Sequence, residues 1–321
     1  MDKKFELLYN TGIVPVIKIE DAENAVPLAR ALSEGGLPLI EVTLRSDAAL
    51  ESVTRIRREV PDMQVIAGTV KSVDDAKRAA DAGAQAIVAP AFQEKTVQYC
   101  LDHDMPILPC CVTPTEIQTA IDMGLKTLKF FPAERSGGVA AINDLAGPFP
   151  EVKFVPTGGI NMDVLPAYAA CGAVAAVGGS FMAKADLIAA KSWEQITANC
   201  RRCVELSLGF ALDHVGMNFS GKEEALAAGR ELDSRFPMGI KVGSGKSSFF
   251  GGIVELMHYP YYGTHGHIAI RTHSAERAKA FLEKNGYEVR EDTVGYDTKG
   301  MMKFFYLKEE VGGFALHIVR K

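Results

Sequence analysis

An α/β architecture, a (β/α)8 barrel followed by a smaller α+β domain, is what this sequence predicts, on three observations. Up to about residue 208, eight short apolar runs recur mostly 20 to 27 residues apart, each followed by an amphipathic stretch. Glycines stand shortly before the next run at Gly35-Gly36, Gly83, Gly124 and Gly172, where helices commonly end. After Gly209 the rhythm changes to two successive βαβββ-like cycles, so domains of residues 1–208 and 209–321 are expected. Eight βα units in about 200 residues suit a compact TIM barrel. A doubly wound sheet is the rival, but the Gly-x-Gly-x-x-Gly fingerprint after the first strand is absent.

In order, the expected barrel strands are Val14 to Ile17, Leu39 to Leu44, Gln64 to Thr69 and Ala86 to Pro90. Ile107 to Cys111, Thr127 to Pro132, Phe154 to Gly158 and Ala173 to Gly178 follow. Helical patterns run over Asp21 to Glu34, Val73 to Ala82 and Pro114 to Met123. In the second domain, residues 212–217 read as a strand, 222–235 as a helix and 247–257 as glycine-containing strand material. The clearer second cycle has a strand at His267 to Thr272 and a helix at Ala275 to Asn285. Strands near Tyr287 to Arg290, Met301 to Leu307 and Phe314 to Val319 complete it.

Composition narrows the function. Of 321 residues, 47% are hydrophobic and 23% charged, which excludes disordered, collagenous and fibrous classes. The net charge of −5 supplies no basic field for nucleic acid or an anionic membrane, so an anionic substrate needs a local site. Six cysteines in a chain this long make no disulfide framework. Cys200-Arg-Arg-Cys203 has metal or redox spacing, but no second pair answers it, and i,i+3 thiols on a helix ordinarily pack. The opening Met1-Asp2-Lys3-Lys4-Phe5-Glu6 lacks the apolar core of a signal peptide, so a cytoplasmic protein is expected. Val164 to Ala183 is uncharged, yet Pro166, Gly172, Gly178 and Gly179 make it a helix, turn and buried strand rather than a membrane span.

In such a barrel, function sits at the C-terminal ends of the strands. Along the second strand Ile40, Val42 and Leu44 share the outward face, leaving Glu41, Thr43 and Arg45 pointing inward. On the sixth, Lys129 and Phe131 point inward if Leu128 and Phe130 face the helices. A lysine there loses hydration, which disfavours its charged form, the requirement for an amine that attacks a carbonyl to form a Schiff base. The alternative is a structural ion pair with Glu41. Thr157-Gly158-Gly159 ends strand seven and Gly178-Gly179-Ser180 ends strand eight, where backbone N–H groups can approach a phosphate. Gly243-Ser-Gly-Lys246-Ser247 is no P-loop, because residue 241 is lysine.

Glu41-Val42-Thr43-Leu44-Arg45, Ala67-Gly68-Thr69-Val70, Lys129-Phe130-Phe131-Pro132-Ala133-Glu134, Pro156-Thr157-Gly158-Gly159-Ile160 and Gly178-Gly179-Ser180 occur in this order. As a set, over roughly residues 1–207, they closely resemble the 2-keto-3-deoxy-6-phosphogluconate (KDPG) aldolase / 4-hydroxy-2-oxoglutarate (KHG) aldolase family of small class I aldolases. The resemblance implies Lys129 as Schiff-base lysine and Glu41 as general acid/base. It implies Arg45 and Thr69 at the pyruvate carboxylate, Pro90 and Phe131 lining the pocket, and Thr157, Gly158, Gly159, Gly178, Gly179 and Ser180 around the distal phosphate. It further implies a lyase for a phosphorylated or dicarboxylic 2-keto acid, as in Entner–Doudoroff metabolism, that needs no metal and assembles as a homotrimer. Two departures bear on which aldehyde is preferred: Pro109-Cys110-Cys111 stands where the family usually has Pro-Gly, and Ala89-Pro90-Ala91 where it usually has Ser-Pro-Gly. A packing role is expected for Cys110, with no histidine placed beside it by the pattern.

In the second domain, His214 and Glu255 open and close the first cycle, His267 opens the second, and His317 sits near its end. Paired units with residues at such places resemble the vicinal oxygen chelate (glyoxalase-like) superfamily, which implies a divalent metal at His214, Glu255 and His267. His317 stands where that family often has glutamate. Zinc, nickel, manganese or iron would suit these ligands. The alternatives are a metal-dependent lyase or isomerase, a ligand-sensing or assembly module, and a degenerate domain with satisfied histidines.

Overall fold

A computed structural model describes residues 3–321; Met1 and Asp2 of the expected barrel domain lie outside the described residues. The chain divides into two compact units, one ending at Ser207 and the other running from Leu208 to Lys321.

In the first unit the strands are β1 (Ile13–Ile17), β2 (Leu39–Thr43), β3 (Gln64–Gly68), β4 (Ala86–Val88), β5 (Ile107–Leu108), β6 (Thr127–Phe130), β7 (Lys153–Pro156) and β8 (Val177–Gly179). All pair in parallel. Six form a sheet in the order β5-β4-β3-β2-β1-β8, and β6 pairs with β7 alone. Isolated bridges Cys110–Lys129, Phe154–Val174 and Thr157–Gly178 join the two sheets into a closed ring. Every strand but β1 is shorter than the apolar runs suggested, β5 and β8 most of all. β5 stops before Pro109, which has no N–H to give. Before β8, the alanine-rich segment makes only the Val174 bridge.

Side-chain alternation divides the unit into two cores. Leu39, Ile66, Val88, Leu108 and Val155 fill the barrel interior, where Phe5 and Leu8 of the N-terminal segment join them. Ile40, Val42, Leu128 and Phe130 face the helices instead. Between the strands lie helices such as Ala25–Glu34, Val73–Asp81 and Pro114–Asp122. The last begins with a capping box: Thr113 accepts from the Glu116 N–H while the Glu116 carboxylate accepts from the Thr113 N–H. Cys200 and Cys203 lie on Trp193–Leu208 with fully buried thiols, each pushed up to about 12, chiefly by burial. They pack. No helix among the described residues is long and apolar enough to cross a membrane.

The second unit contains β9 (Ala211–Asn218), a helix at Lys222–Arg235, β10 (Ile240–Lys241), β11 (Ser247–Phe250) and β12 (Val254–Met257). Then come β13 (Gly266–Thr272), a helix at Ala275–Lys284, β14 (Val289–Tyr296), β15 (Met302–Val311) and β16 (Phe314–Arg320). Two βαβββ cycles thus build one sheet in the order β10-β11-β12-β9-β13-β16-β15-β14. The opening strands of the two cycles, β9 and β13, meet antiparallel at its centre, and each pairs in parallel with the closing strand of its own cycle.

Candidate functional site

Alternation puts Glu41 on the same face of β2 as the interior residue Leu39, and Lys129 opposite Leu128 and Phe130, which face the helices. Both side chains enter the barrel and are almost fully buried, at 3% and 7% exposure. The Lys129 Nζ lies 3.4 Å from Glu41 Oε1, an ion pair across the interior between residues 88 apart in sequence. Two charges are expensive to bury, and a barrel interior can be filled with aliphatic side chains. Room for the carboxylate comes from Gly68, where an added Cβ would lie 2.1 Å from Glu41 Oε1.

Thr43, on the same inward face, gives its hydroxyl to the Ile17 carbonyl at 3.1 Å and so serves the structure. Arg45, expected on the inward face with Glu41 and Thr43, instead lies beyond the end of β2, where alternation no longer applies; it is exposed and forms no ion pair among the described residues. Thr69 has φ +62°, a left-handed conformation that costs a β-branched residue about 1–2 kcal/mol and marks a constrained turn directly after Gly68. Pro90 is half-buried just beyond β4. Phe131, 42% exposed, has its ring centroid 5.8 Å from Lys129 Nζ and supplies an apolar wall at the mouth.

The glycine turns occupy the same end of the barrel. Ala133 N–H donates to the Thr157 carbonyl at 2.8 Å and Glu134 N–H to the Gly158 carbonyl at 3.1 Å. Those carbonyls are therefore taken up, while the N–H groups of Gly158 and Gly159 have no acceptor among the described residues. Both glycines adopt positive φ (+101° and +81°). Gly178 is small for a different reason: a Cβ there would meet the Thr157 hydroxyl at 2.3 Å. Gly179 and Ser180 continue into the exposed rim. Cys110 is buried and donates its thiol to the Phe131 carbonyl at 3.5 Å. Burial raises its thiol, the pattern of a packed rather than a reactive cysteine.

A second cluster lies in the C-terminal unit. His214 on β9, Glu255 on β12 and His267 on β13 converge: Glu255 Oε2 is 3.2 Å from His214 Nε2 and 3.1 Å from His267 Nε2, and the two imidazole nitrogens are 3.1 Å apart. Donors about 2.1 Å from a shared ion stand roughly 3.0–3.4 Å from one another, so these separations fit one cation. Glu255 Oε1 accepts from the Ser247 hydroxyl at 2.5 Å. His214 Nδ1 meets Asp213 Oδ2 at 2.8 Å, and Asp213 also pairs with Lys321 at 2.5 Å. That contact orients the ring with Nε2 toward Glu255 and His267.

Burial opposes ionisation of Glu255, yet contacts to His214, His267 and Ser247 outweigh it and hold the carboxyl well below its usual range. His214 is raised for the same reason: burial works against its charge, and Glu255 and Asp213 overcome it. His317, which sequence reasoning noticed but did not place among the ligands, joins the group. The ligating atoms of His214, His267 and His317 lie within 4.8 Å of one another. Burial, then the neighbouring His267 and His214, push His317 down to about 3. Its two ring nitrogens and His267 Nδ1 are buried without a hydrogen-bond partner among the described residues. Imidazole nitrogens converging beside a carboxylate, those of His317 without a partner among the described residues, are a donor set that a divalent ion satisfies, so these residues fit one.

Comparison with known proteins bears on the first unit. The family model described as KDPG and KHG aldolase matches residues 5–199. A 2-dehydro-3-deoxy-phosphogluconate aldolase of Treponema pallidum is 44% identical over 202 residues, 63% of this chain and 96% of that protein. A KHG/KDPG aldolase of Escherichia coli is 40% identical, covering 62% of this chain and 94% of the relative. Among solved structures, the KDPG aldolase of Legionella pneumophila, with pyruvate captured as a covalent carbinolamine intermediate, superposes with a TM-score of 0.61. It is 33% identical and covers 62% of this chain and 97% of that one. The corresponding aldolase of Zymomonas mobilis with 3-phosphoglycerate gives a TM-score of 0.60 at 34% identity, covering 64% and 97%. A closed barrel with a buried lysine–glutamate pair agrees with that match, and the chain belongs to the KDPG and KHG aldolase family.

Proposed function

We propose that the barrel unit is a class I aldolase that cleaves KDPG to pyruvate and glyceraldehyde 3-phosphate, KHG to pyruvate and glyoxylate, or both. The observation that carries this reading is the buried amine of Lys129 held 3.4 Å from a carboxylate on another strand. The Lys129 amine attacks the C2 ketone, water leaves, and the iminium draws electrons from the C3–C4 bond. Glu41 takes the C4 hydroxyl proton, directly or through a water, as the aldehyde departs, and returns a proton as the pyruvate enamine is quenched. Hydrolysis of the imine frees pyruvate. Arg45 and Thr69 are assigned to the substrate carboxylate, Pro90 and Phe131 to the pocket wall. The Thr157-Gly158-Gly159 and Gly178-Gly179-Ser180 turns are assigned to the distal anion, supported by the two N–H groups that lack an acceptor. Borohydride reduction in the presence of pyruvate tests this reading. It is expected to add one pyruvyl group at Lys129 and none in folded Lys129→Met; wild-type protein left unlabelled would refute it. By resemblance to the same family, the protein acts in the cytoplasm and its barrels form a homotrimer, which sedimentation equilibrium would check.

For the C-terminal unit we infer a divalent-metal centre at His214, Glu255 and His267, in line with its glyoxalase-like pairing of βαβββ cycles. The convergence of the three side chains on one point favours this over satisfied core histidines. A bound ion would supply a Lewis acid there. Glu255 holds two imidazoles in register, and Asp213 orients one of them. Elemental analysis of the purified full-length chain, with about one ion per chain expected, tests it.

A further inference from the structure

The loop that follows β6 is packed against the glycine turn that follows β7, and Glu134 lies between them. It opens a short 3-10 turn, Glu134–Ser136, and its N–H donates to the Gly158 carbonyl at 3.1 Å. Its side chain covers the next glycine: a Cβ on Gly159 would lie 2.7 Å from Glu134 Cβ and 2.9 Å from Cγ. The carboxylate continues past the turn to a third glycine, Gly138 at φ +62°. A Cβ there would stand 3.3 Å from Glu134 Oε1 and 3.4 Å from the Tyr168 hydroxyl. Tyr168, on the helix Leu165–Ala170, donates that hydroxyl to Oε1.

Main chain and side chain of Glu134 therefore act on the same turn. The aliphatic stem lies against Gly159, and the charged end is drawn onto the phenol. Tyr168 is buried at 1% exposure, so its hydroxyl needs a partner inside the protein. Burial, then Glu134, raise the phenol well above the usual tyrosine range, so it stays a donor at any working pH. A phenol donating to a carboxylate makes a charge-assisted bond, roughly twice as strong as a neutral one. A carboxylate left to swing at this exposed rim would compete with a substrate anion for the Gly158 and Gly159 N–H groups, which have no acceptor among the described residues.

We propose that Glu134 is a positioning residue for the distal anion: anchored on Tyr168, it holds the Gly158-Gly159 turn in place and keeps its own charge away from the N–H groups of that turn. This rests on the aldolase reading of the barrel and on the assignment of the turn to the substrate's distal anion. Glu134 touches none of the reacting atoms. Its consequence is a division of labour. The pyruvate half of the site, at Lys129 and Glu41, makes no use of the clamp, whereas affinity for the phosphate end depends on it.

The test compares full-length wild type, Tyr168→Phe, Glu134→Ala and Glu134→Gln. The readouts are steady-state cleavage of KDPG, competitive inhibition by inorganic phosphate, and the rate of borohydride labelling by pyruvate alone, which carries no distal anion. Tyr168→Phe and Glu134→Ala should raise the KM for KDPG and the inhibition constant of phosphate together. Each is expected to rise about 10-fold, the size of one lost charge-assisted hydrogen bond, with kcat and the labelling rate little changed. Glu134→Gln, which keeps an oxygen for the phenol, should retain most of the affinity. Folded Tyr168→Phe and Glu134→Ala with both constants within about twofold of wild type would overturn the role of Glu134. A labelling rate that falls in step with them would overturn it too, as the mark of a general structural defect. Wild type left unlabelled by pyruvate would overturn the aldolase reading itself. Wild type that is labelled but not inhibited by phosphate would overturn the assignment of the turn to an anion, and this inference with it.

Discussion

Replacing Gly68 by alanine isolates the placement of the Glu41 carboxylate. The new Cβ would lie 2.1 Å from Oε1, 2.6 Å from Cγ and 2.7 Å from Cδ, whereas ordinary contact begins at 3.4 Å. The β3 backbone is fixed by pairing on both sides, so the carboxylate is what yields, by about 1 Å. That shift is comparable to the tolerance of catalytic geometry, where a 1 Å misplacement costs roughly 10²-fold, or about 2.7 kcal/mol at the transition state. Overpacking should also cost about 1–3 kcal/mol of stability. The assay is steady-state aldol cleavage of KDPG and KHG, with circular dichroism to confirm folding. A kcat about 100-fold down is expected, with a smaller change in KM and with Lys129 still labelled by pyruvate and borohydride on prolonged reaction. Folded Gly68→Ala protein with near-wild-type kcat would refute the assignment of Glu41 as proton carrier at its observed position.

Further outcomes follow from the same geometry. Gly158→Ala forces a side chain into φ +101° and brings its Cβ 3.0 Å from the Phe131 ring; it should raise KM for phosphorylated KDPG several-fold more than for KHG, read in parallel kinetics. Glu116→Gln removes the charge that accepts from the Val112 and Thr113 N–H groups and should lower stability by about 1 kcal/mol in urea melts. Burial opposes that charge, but the hydrogen bonds prevail and lower the Glu116 carboxyl. Its stabilisation is therefore full above the ordinary carboxylate range and lost as pH falls through the folded value, so the wild-type advantage should vanish in strong acid. Asp213→Ala frees His214 Nδ1 and should weaken metal binding roughly 10–100-fold by competitive chelation, leaving aldol cleavage by the other unit unchanged.

Much of the barrel site is legible in sequence because strand alternation is a local rule. With β2 and β6 placed, the parity of Ile40, Val42, Leu128 and Phe130 sends Glu41 and Lys129 inward without any knowledge of the fold's details. Other features depend on residues remote in sequence. Gly68 reads as an unremarkable strand-end glycine until Glu41, 27 positions earlier, is brought against it. The taking-up of Thr43 by the Ile17 carbonyl is likewise a contact between strands. His317 reads in the sequence as a histidine near a strand end, but its membership of the cluster depends on β16 adding beside β13 in a register that sets it level with His214. Strand ends are not legible in the same way, because apolar content continues, most of all at β5 and β8, where hydrogen-bonded pairing does not.

The main chain of Lys129 is held from both sides. Its N–H donates to the Pro109 carbonyl at 3.0 Å, and its carbonyl accepts from the Cys111 N–H at 2.9 Å, across the gap that separates the two hydrogen-bonded sheets. On the other side it is in register with Val155. The residue is thus a rivet at the seam of the ring, its main chain clamped from left and right while its four-carbon arm reaches into the interior toward Glu41. A nucleophile mounted this way can follow its adduct through successive changes of hybridisation without moving its anchor.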